Sequence, residues 1–246
     1  MAPTYFRREP GIERFNGRRG SAHGFIGLAT AIRAFTLSLA IFWVPGKSWH
    51  DAGAMAEIQA AKAELRREAI ARRDALPAAA RSAAAETIAA RPFPVAFAPG
   101  AIISGFIPLK NEIDPQPLMR KVAAKGARLA LPVVIGRDKP LAMRAWNFGE
   151  PLAAGVWGIR EPKPDAAMLD PDILIVPIVA FDRTGHRIGY GAGYYDLTIT
   201  LLRARKHVAT VGIAFAVQEI PAVPATPRDA RLDLVLTERE VIDLRT

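Results

Sequence analysis

Between Phe181 and Asp196 the chain reads Phe181-Asp182-Arg183-Thr184-Gly185-His186-Arg187-Ile188-Gly189-Tyr190-Gly191-Ala192-Gly193-Tyr194-Tyr195-Asp196. Glycines at the alternate positions 189, 191 and 193 free the backbone to take positive φ and turn several amide N–H groups toward one point. Ahead of a helix, such a turn is a cradle for an anion. Arg187 adds a fixed charge with forked donors. Asp196 falls in the first turn of the helix that follows. A carboxylate there suits Mg²⁺, which binds through one or two carboxylates plus phosphate oxygens and water. Ordinary packing competes with this reading, because glycines in a strand-to-helix turn also let the chain pass closely. Neither G-x-x-x-x-G-K-[ST] nor G-x-G-x-x-G fits the spacing, and no early strand–loop–helix carries a dinucleotide fingerprint. The residues alone point to a phosphate with a metal, and to no particular reaction.

The elements around this loop follow from hydrophobic periodicity. Residues 56–75 are rich in Ala, Glu, Lys and Arg, and Ile58, Leu65, Ala69 and Leu76 are spaced for one helical face. Leu76-Pro77 breaks that helix; a second covers 78–90 and stops at Arg91-Pro92-Phe93-Pro94. Strands are predicted at Ala101–Ile107, Arg128–Ile135, Leu141–Trp146, Asp172–Phe181, Val208–Phe215 and Leu232–Leu236, with helices at Pro115–Lys125 and Tyr194–Arg205. The run Ile173 to Phe181 is nearly all apolar, as a strand buried on both faces must be. Alternating strands and helices with buried strands predict a mainly parallel, three-layer α/β fold.

Bulk properties exclude more than they assign. The 246 residues are 50% hydrophobic and include no cysteine. Disulfides, thiolate zinc, iron–sulfur ligation and cysteine nucleophiles are thereby excluded, and a reducing compartment, the cytoplasm, is expected. Four scattered histidines (His23, His50, His186, His207) form no metal-ligand spacing. The net charge of +9 is spread along the chain. Residues 1–54 hold seven basic groups (Arg7, Arg8, Arg14, Arg18, Arg19, Arg33, Lys47) against three acidic ones (Glu9, Glu13, Asp51). Such an excess suits an anionic small molecule as well as a polynucleotide. Within that head, the apolar run Ala34–Val44 ends at Pro45-Gly46 and is too short for a bilayer, which needs about 20 residues. A signal peptide is not expected either, since no small-x-small cleavage site follows it. Residues 1–54 are therefore expected to be a poorly ordered extension, with the functional unit starting near Met55.

The run Val176-Pro177-Ile178-Val179-Ala180-Phe181-Asp182, then Gly185 through Asp196, closely resembles the signature of the 5-formyltetrahydrofolate cyclo-ligase family. Lys62-Ala63-Glu64-Leu65-Arg66, Phe106 through Asp114, and Gly155-Val156-Trp157-Gly158-Ile159-Arg160-Glu161-Pro162 resemble further family elements, in the family's order. The resemblance covers roughly residues 57–240. It implies a single catalytic domain over 55–246, with the Rossmann-like three-layer fold that sugar-phosphate isomerases and CoA transferases share. It also implies a monomeric enzyme whose cofactors are ATP and Mg²⁺. Members phosphorylate the formyl oxygen of 5-formyltetrahydrofolate; the bridge nitrogen then attacks the activated carbon and phosphate leaves.

Carried onto this sequence, the resemblance gives ATP to Lys62, Arg66, Arg187, Ile188, Gly189, Tyr190, Gly191, Ala192, Gly193, Tyr194 and Tyr195. Arg187, Tyr194 and Asp196 would carry the chemistry, and Asp196 and Asp229 the metal. The folate would lie against Ile107, Glu112, Trp157 and Tyr194. Apart from the resemblance, Lys62 and Arg66 read as part of a solvated basic face with Arg67, Arg72 and Arg73, Glu112 as a loop acid, and Trp157 as core. Three departures stand out. Arg228 replaces a histidine before Asp229, Leu197 an arginine after Asp196, and Tyr190 and Ala192 take positions that are basic in some members.

Two rivals differ in kind. An isomerase or transferase of related fold would need no ATP. A nucleic-acid-binding protein would bind polynucleotides with strong salt dependence through residues 1–54, yet the chain has no basic–aromatic interleaving.

Overall fold

The fold is described from a computed structural model over residues 49–245; the side chains of residues 49–52 and of Trp157 lie outside that description. The expectation for the head of the chain, residues 1–48, lies outside the described residues.

The described residues begin with helix α1 (Trp49–Asp74), which runs through Met55 without a break, so Met55 bounds no element. Its inward face differs from the apolar stripe expected. Ala69 is buried as predicted, but Lys62 and Arg73 are buried beside it, while Ile58, Leu65 and Leu76 are only partly covered. Helix α2 (Ala78–Ala90) starts directly after Pro77, and Lys121 donates to the Ala89 carbonyl at its far end. Strand β1 (Ile102–Ser104), helix α3 (Gln116–Ala124), strand β2 (Arg128–Val133) and strand β3 (Ala142–Ala145) follow. A small ribbon pairs β4 (Ala153–Ala154) with β5 (Arg160–Glu161).

The predicted strand over Asp172–Phe181 divides in two. Strand β6 (Ile173–Pro177) stays in the sheet, whereas β7 (Ala180–Phe181) leaves it to pair with β8 (Arg187–Ile188). Pro177 supplies no N–H to continue the ladder. The freed carbonyls of Ile178 and Val179 are taken by the side-chain amide of buried Gln218, at 2.6 and 2.9 Å. Periodicity could not reveal this break, because every residue across it is apolar. Helix α4 (Tyr194–Arg203), strand β9 (Ala209–Ile213), strand β10 (Leu234–Leu236) and strand β11 (Val241–Asp243) complete the chain.

Among the described residues the main sheet has seven strands in the order β11-β10-β9-β6-β1-β2-β3. The five from β10 to β2 are parallel, and antiparallel β11 and β3 close the edges. Side chains alternate between two cores, as a pleated strand requires. Ile173 and Ile175 join Ile88, Leu118 and Met119 of α2 and α3 on one face; Leu174 and Val176 join Ile199 and Leu202 of α4 on the other. This is the expected three-layer, mainly parallel α/β architecture. The order reverses between β1 and β6: the chain passes outward from β1 to β2, but from β6 outward the other way. Outside the carboxyl ends of the strands at such a reversal, open α/β sheets leave a crevice for ligands.

The β7–β8 hairpin carries the chain from β6 to this crevice. Its tip is tied by Asp182, which accepts from the N–H groups of Thr184, His186 and Val223. Burial opposes its charge, but these donors and the Thr184 hydroxyl hold the Asp182 carboxyl below its usual range. Gly185 has φ +91, and a Cβ there would lie 3.0 Å from the Leu232 carbonyl oxygen. Gly185→Ala is expected to cost about 2 kcal/mol, lowering Tm by roughly 4–8 °C in a thermal melt. An unchanged Tm would show that the hairpin relaxes freely.

Candidate active site

A cavity of about 290 Å³ opens at the predicted crevice. Ile107 and Glu112 reach it from the segment after β1, Pro177 from the end of β6, and Lys62 and Arg66 from α1. The glycine loop 189–193 and the first turn of α4 close one side. A neighbouring cavity of about 580 Å³ shares Val134, Gly191, Ala192 and Tyr194 with it and extends along residues 135–138.

Gly191 and Gly193 take positive φ, +103 and +69, whereas Gly189 does not. The turn therefore uses two left-handed residues where the alternate spacing suggested three. Gly189 contributes its carbonyl instead, which accepts from Arg66 Nε at 2.7 Å. A Cβ on Gly191 would lie 3.6 Å from the Arg66 guanidinium, so the arginine lies along the loop. Among the described residues, the main-chain N–H groups of Gly189 to Gly193 donate to no acceptor. They sit immediately before α4, whose dipole adds partial positive charge at the same place.

Two ion pairs frame the loop. Arg187, with 4% of its side chain exposed, donates to Asp196 Oδ1 at 2.9 Å and to the Ala230 carbonyl. The Ala230 N–H also donates to Asp196 Oδ1, at 3.0 Å. Burial lowers the Arg187 pKa, and the charge of Asp196 opposes that change. Lys62, equally buried, donates to both oxygens of Asp229 at 2.8 and 2.7 Å. Asp229 also accepts from the N–H and hydroxyl of Thr226. Burial would raise the Asp229 pKa, but Lys62 and Thr226 together hold it below the ordinary aspartate range. Both cations thus reach the cavity already paired. The sequence offered them as free charges; the fold binds each to a carboxylate that was itself expected to hold metal. Asp196 Oδ2 has no partner among the described residues, whereas both Asp229 oxygens are engaged.

On the other side, Glu112 Oε2 accepts from Leu109 N–H at 2.7 Å, and Glu112 and Tyr190 line the same cavity. Burial raises its pKa, while the Leu109 N–H, the neighbouring Tyr190 phenol and the charge of Arg73 limit the rise. Arg73 Nη1 donates to the Tyr190 oxygen at 2.8 Å, and Nε donates to Asp74 at 2.9 Å. Arg73 is 1% exposed, which corrects its reading as part of a solvated basic face. Arg67 and Arg72 do lie at the surface. Tyr195 lines the cavity and finds no hydrogen-bond partner among the described residues; burial first, then the charge of Glu112, raises its pKa. Tyr194 lines both cavities. The Trp157 side chain lies outside those described, though its backbone forms a tight helical turn, Val156–Gly158, beside the crevice.

Glu161, in the quoted Gly155–Pro162 segment but given no role there, is 7% exposed and lines the cavity. It accepts from Val134 N–H at 3.1 Å, and a Cβ on Gly155 would lie 2.3 Å from its carboxyl carbon. A glycine six residues before a carboxylate was the available signal. For Arg73 the signal was helical spacing, since 62, 66, 69 and 73 share one face.

A model of the 5-formyltetrahydrofolate cyclo-ligase family matches residues 58–238. The chain belongs to the 5-formyltetrahydrofolate cyclo-ligase family. A cyclo-ligase of Mycolicibacterium smegmatis is 30% identical over 197 residues, spanning 75% of this chain and 97% of that relative. The Escherichia coli K12 cyclo-ligase is 33% identical over 146 residues, 56% of this chain and 79% of its own length. A solved structure of Aquifex aeolicus 5,10-methenyltetrahydrofolate synthetase aligns with a TM-score of 0.61 at 30% identity, covering 75% of this chain and 93% of that one. The departures from the cyclo-ligase pattern now have locations. Leu197 is 40% exposed on α4 and Arg228 is exposed, so neither reshapes the core. Tyr190, by contrast, ties the glycine loop to α1, its hydroxyl oxygen accepting from Arg73.

Proposed function

We propose that this chain closes 5-formyltetrahydrofolate to 5,10-methenyltetrahydrofolate at the expense of ATP, releasing ADP and phosphate. The observation that carries the reading is a glycine loop with unpartnered amides at the start of α4, in one crevice with the half-buried carboxylate Glu112. The first feature suits a triphosphate and the second the amino and ring N–H edge of a pterin.

A formamide oxygen is a poor leaving group. Its attack on the γ-phosphorus, with ADP departing, turns it into phosphate; the bridge nitrogen then bonds to the same carbon, and the C–O bond breaks as phosphate leaves. Such transfer asks a protein mainly for positioning and neutralisation of charge. Lys62 Nζ has three N–H groups, and its two bonds to Asp229 leave one for a phosphate oxygen. Arg187 retains donors beyond those given to Asp196 and Ala230. Loop amides 189–193 and Arg66 would meet the remaining oxygens, with Ile188, Tyr194 and Tyr195 against the nucleotide. Ile107 and Trp157 would flank the pterin.

For Mg²⁺ the donor set fits in part. Asp196 Oδ2 is a free hard oxygen beside the phosphate cradle, and one carboxylate with phosphate oxygens and water suits this ion. When bound, it would spread the charge developing on the transferred group. Asp229, with both oxygens engaged, acts through Lys62 and would ligate metal only if that pair opened. We take the enzyme to be a cytoplasmic monomer whose catalytic unit begins near Met55, within α1. Among the described residues no helix is long and apolar enough to cross a membrane.

Mixing the protein with 5-formyltetrahydrofolate and Mg-ATP is expected to raise the methenyl chromophore in the near ultraviolet. No rise, or an equal rise without ATP, would refute the assignment. Glu112→Gln is expected to raise KM for the folate by about 10–100-fold, the worth of a hydrogen bond to a charged group. Burial lifts the Glu112 pKa, so in the parent protein folate affinity should fade on acidification above the ordinary glutamate value of about 4.3. Glu112→Gln should flatten that limb of the KM–pH profile.

A further inference from the structure

Ring closure sheds a proton, because the bridge nitrogen of the folate enters as N–H and leaves bonded to carbon without its hydrogen. A group beside that nitrogen must accept it. Four carboxylates line the cavity, and among the described residues no histidine does. Asp196 and Asp229 are engaged by Arg187 and Lys62 on the phosphate side. Glu112 is given to the amino and ring N–H edge of the pterin. That leaves Glu161, which is 7% exposed and pairs with no cation among the described residues. Its strand β5 is held by β4 through Ala153, and its Oε1 accepts from Val134 N–H, just past β2, at 3.1 Å. Oε2 has no donor among the described residues. The side-chain atoms there that are both sealed from solvent and unbonded are Ser104 Oγ and Arg144 Nε. Oε2 is not one of them, so it opens to the cavity that Glu161 lines. Gly155 makes the room for it: a Cβ there would lie 2.5 Å from Oε2. With φ at −100, Gly155 is not needed for a left-handed turn, so the carboxylate accounts for the glycine.

We propose that Glu161 is a catalytic residue of the ring closure: Oε2 accepts a hydrogen bond from the bridge N–H and takes its proton as that nitrogen bonds to the activated carbon. The proposal rests on the cyclo-ligase reading and adds to it the proton acceptor. Electrons and atoms balance within the step. The nitrogen lone pair forms the N–C bond, the N–H pair stays on nitrogen, the C–O pair leaves with phosphate, and the proton goes to Oε2. Taking a proton would cost Asp196 or Asp229 its pair with a buried cation, whereas Glu161 has no such pair to lose. Phosphorylation of the formyl oxygen needs no acceptor, since that oxygen carries no hydrogen. The two steps therefore depend on Glu161 to different degrees.

Single-turnover quench experiments on the full chain, in excess over 5-formyltetrahydrofolate and with saturating Mg-ATP, follow ADP and the methenyl chromophore separately. In the parent protein the chromophore is expected to keep pace with ADP. Glu161→Gln keeps the side-chain volume and a carbonyl that can accept from Val134. It should form ADP at close to the parent rate but the chromophore about a hundredfold more slowly, the usual worth of a positioned base. Phosphorylated folate should accumulate between the two. Gly155→Ala leaves every charge in place but drives the carboxylate from its position, an easy shift at the end of a flexible side chain. It should show the same lag, and it decides the question if Glu161→Gln does not fold. A chromophore that keeps pace with ADP in Glu161→Gln, or ADP formation slowed as much as the chromophore, would overturn the proposal. A parent protein that forms no chromophore at all would instead remove the reading beneath it.

Discussion

Asp196→Asn is expected to cut kcat by a hundredfold or more and to destabilise the fold at the same time. The asparagine carbonyl can still accept from Arg187 and from the Ala230 N–H, so geometry is largely kept and charge alone is lost. Arg187, only 4% exposed, then lies buried without its ion-pair partner, and Asp229, already engaged by Lys62, is the carboxylate left near it. Removing one partner of such a pair costs about 3 kcal/mol. The larger effect falls on the rate: the free oxygen beside the phosphate cradle disappears, and losses of about 10²–10³ are usual for one preorganised electrostatic contact. Arg187→Ala should resemble it, and the double substitution should cost much less than the sum of the two singles, because both disrupt one unit. Single-turnover rates and thermal melts separate the two effects. Wild-type turnover by a folded Asp196→Asn protein would remove Asp196 from the reaction.

Lys62→Met carries the second large expectation. It keeps the length of the side chain but removes the ammonium that fills both oxygens of Asp229. KM for ATP should rise by about 10–100-fold, the worth of a charge-assisted contact to phosphate. A signature in acid should accompany this. Because Asp229 is held below its ordinary range in the fold, its contribution to stability is complete above the unfolded value of about 3.9 and is lost as pH falls through the lower folded value. Without Lys62, burial acts on Asp229 against Thr226 and the more distant charge of Arg187, so the acid-unfolding midpoint followed by circular dichroism should move to higher pH. An unshifted midpoint together with an unchanged KM would relegate the pair to the surface behaviour of exposed salt bridges.

The secondary elements were largely legible. Helix α2 coincides with its predicted span, and each predicted strand appears shortened at one end or both, the one over Asp172–Phe181 as two pieces. The divided strand at Pro177 was not legible, since the divide depends on Gln218, some forty residues away, taking the orphan carbonyls. Strand β11 also escaped, because a three-residue edge strand has too little pattern to read. On α1, apolar spacing drew attention to Ile58 and Leu65, whereas the buried face contains Lys62 and Arg73. A charged side chain is buried only when a distant partner awaits it, and Asp229 and Tyr190 lie more than a hundred residues away.

By itself the sequence determined the family, the alternation of strand and helix, and which loop bears the chemistry. Those properties live in local order: glycine where φ must be positive, apolar runs where strands are buried, a motif read along the chain. Tertiary structure alone decided how the charges are used. It paired Lys62 with Asp229 and Arg187 with Asp196, left one aspartate oxygen open, and joined buried Arg73 of α1 to Tyr190 of the loop. Electrostatic roles depend on distance and burial, and both are set only when segments remote in the chain meet at the reversal between β1 and β6.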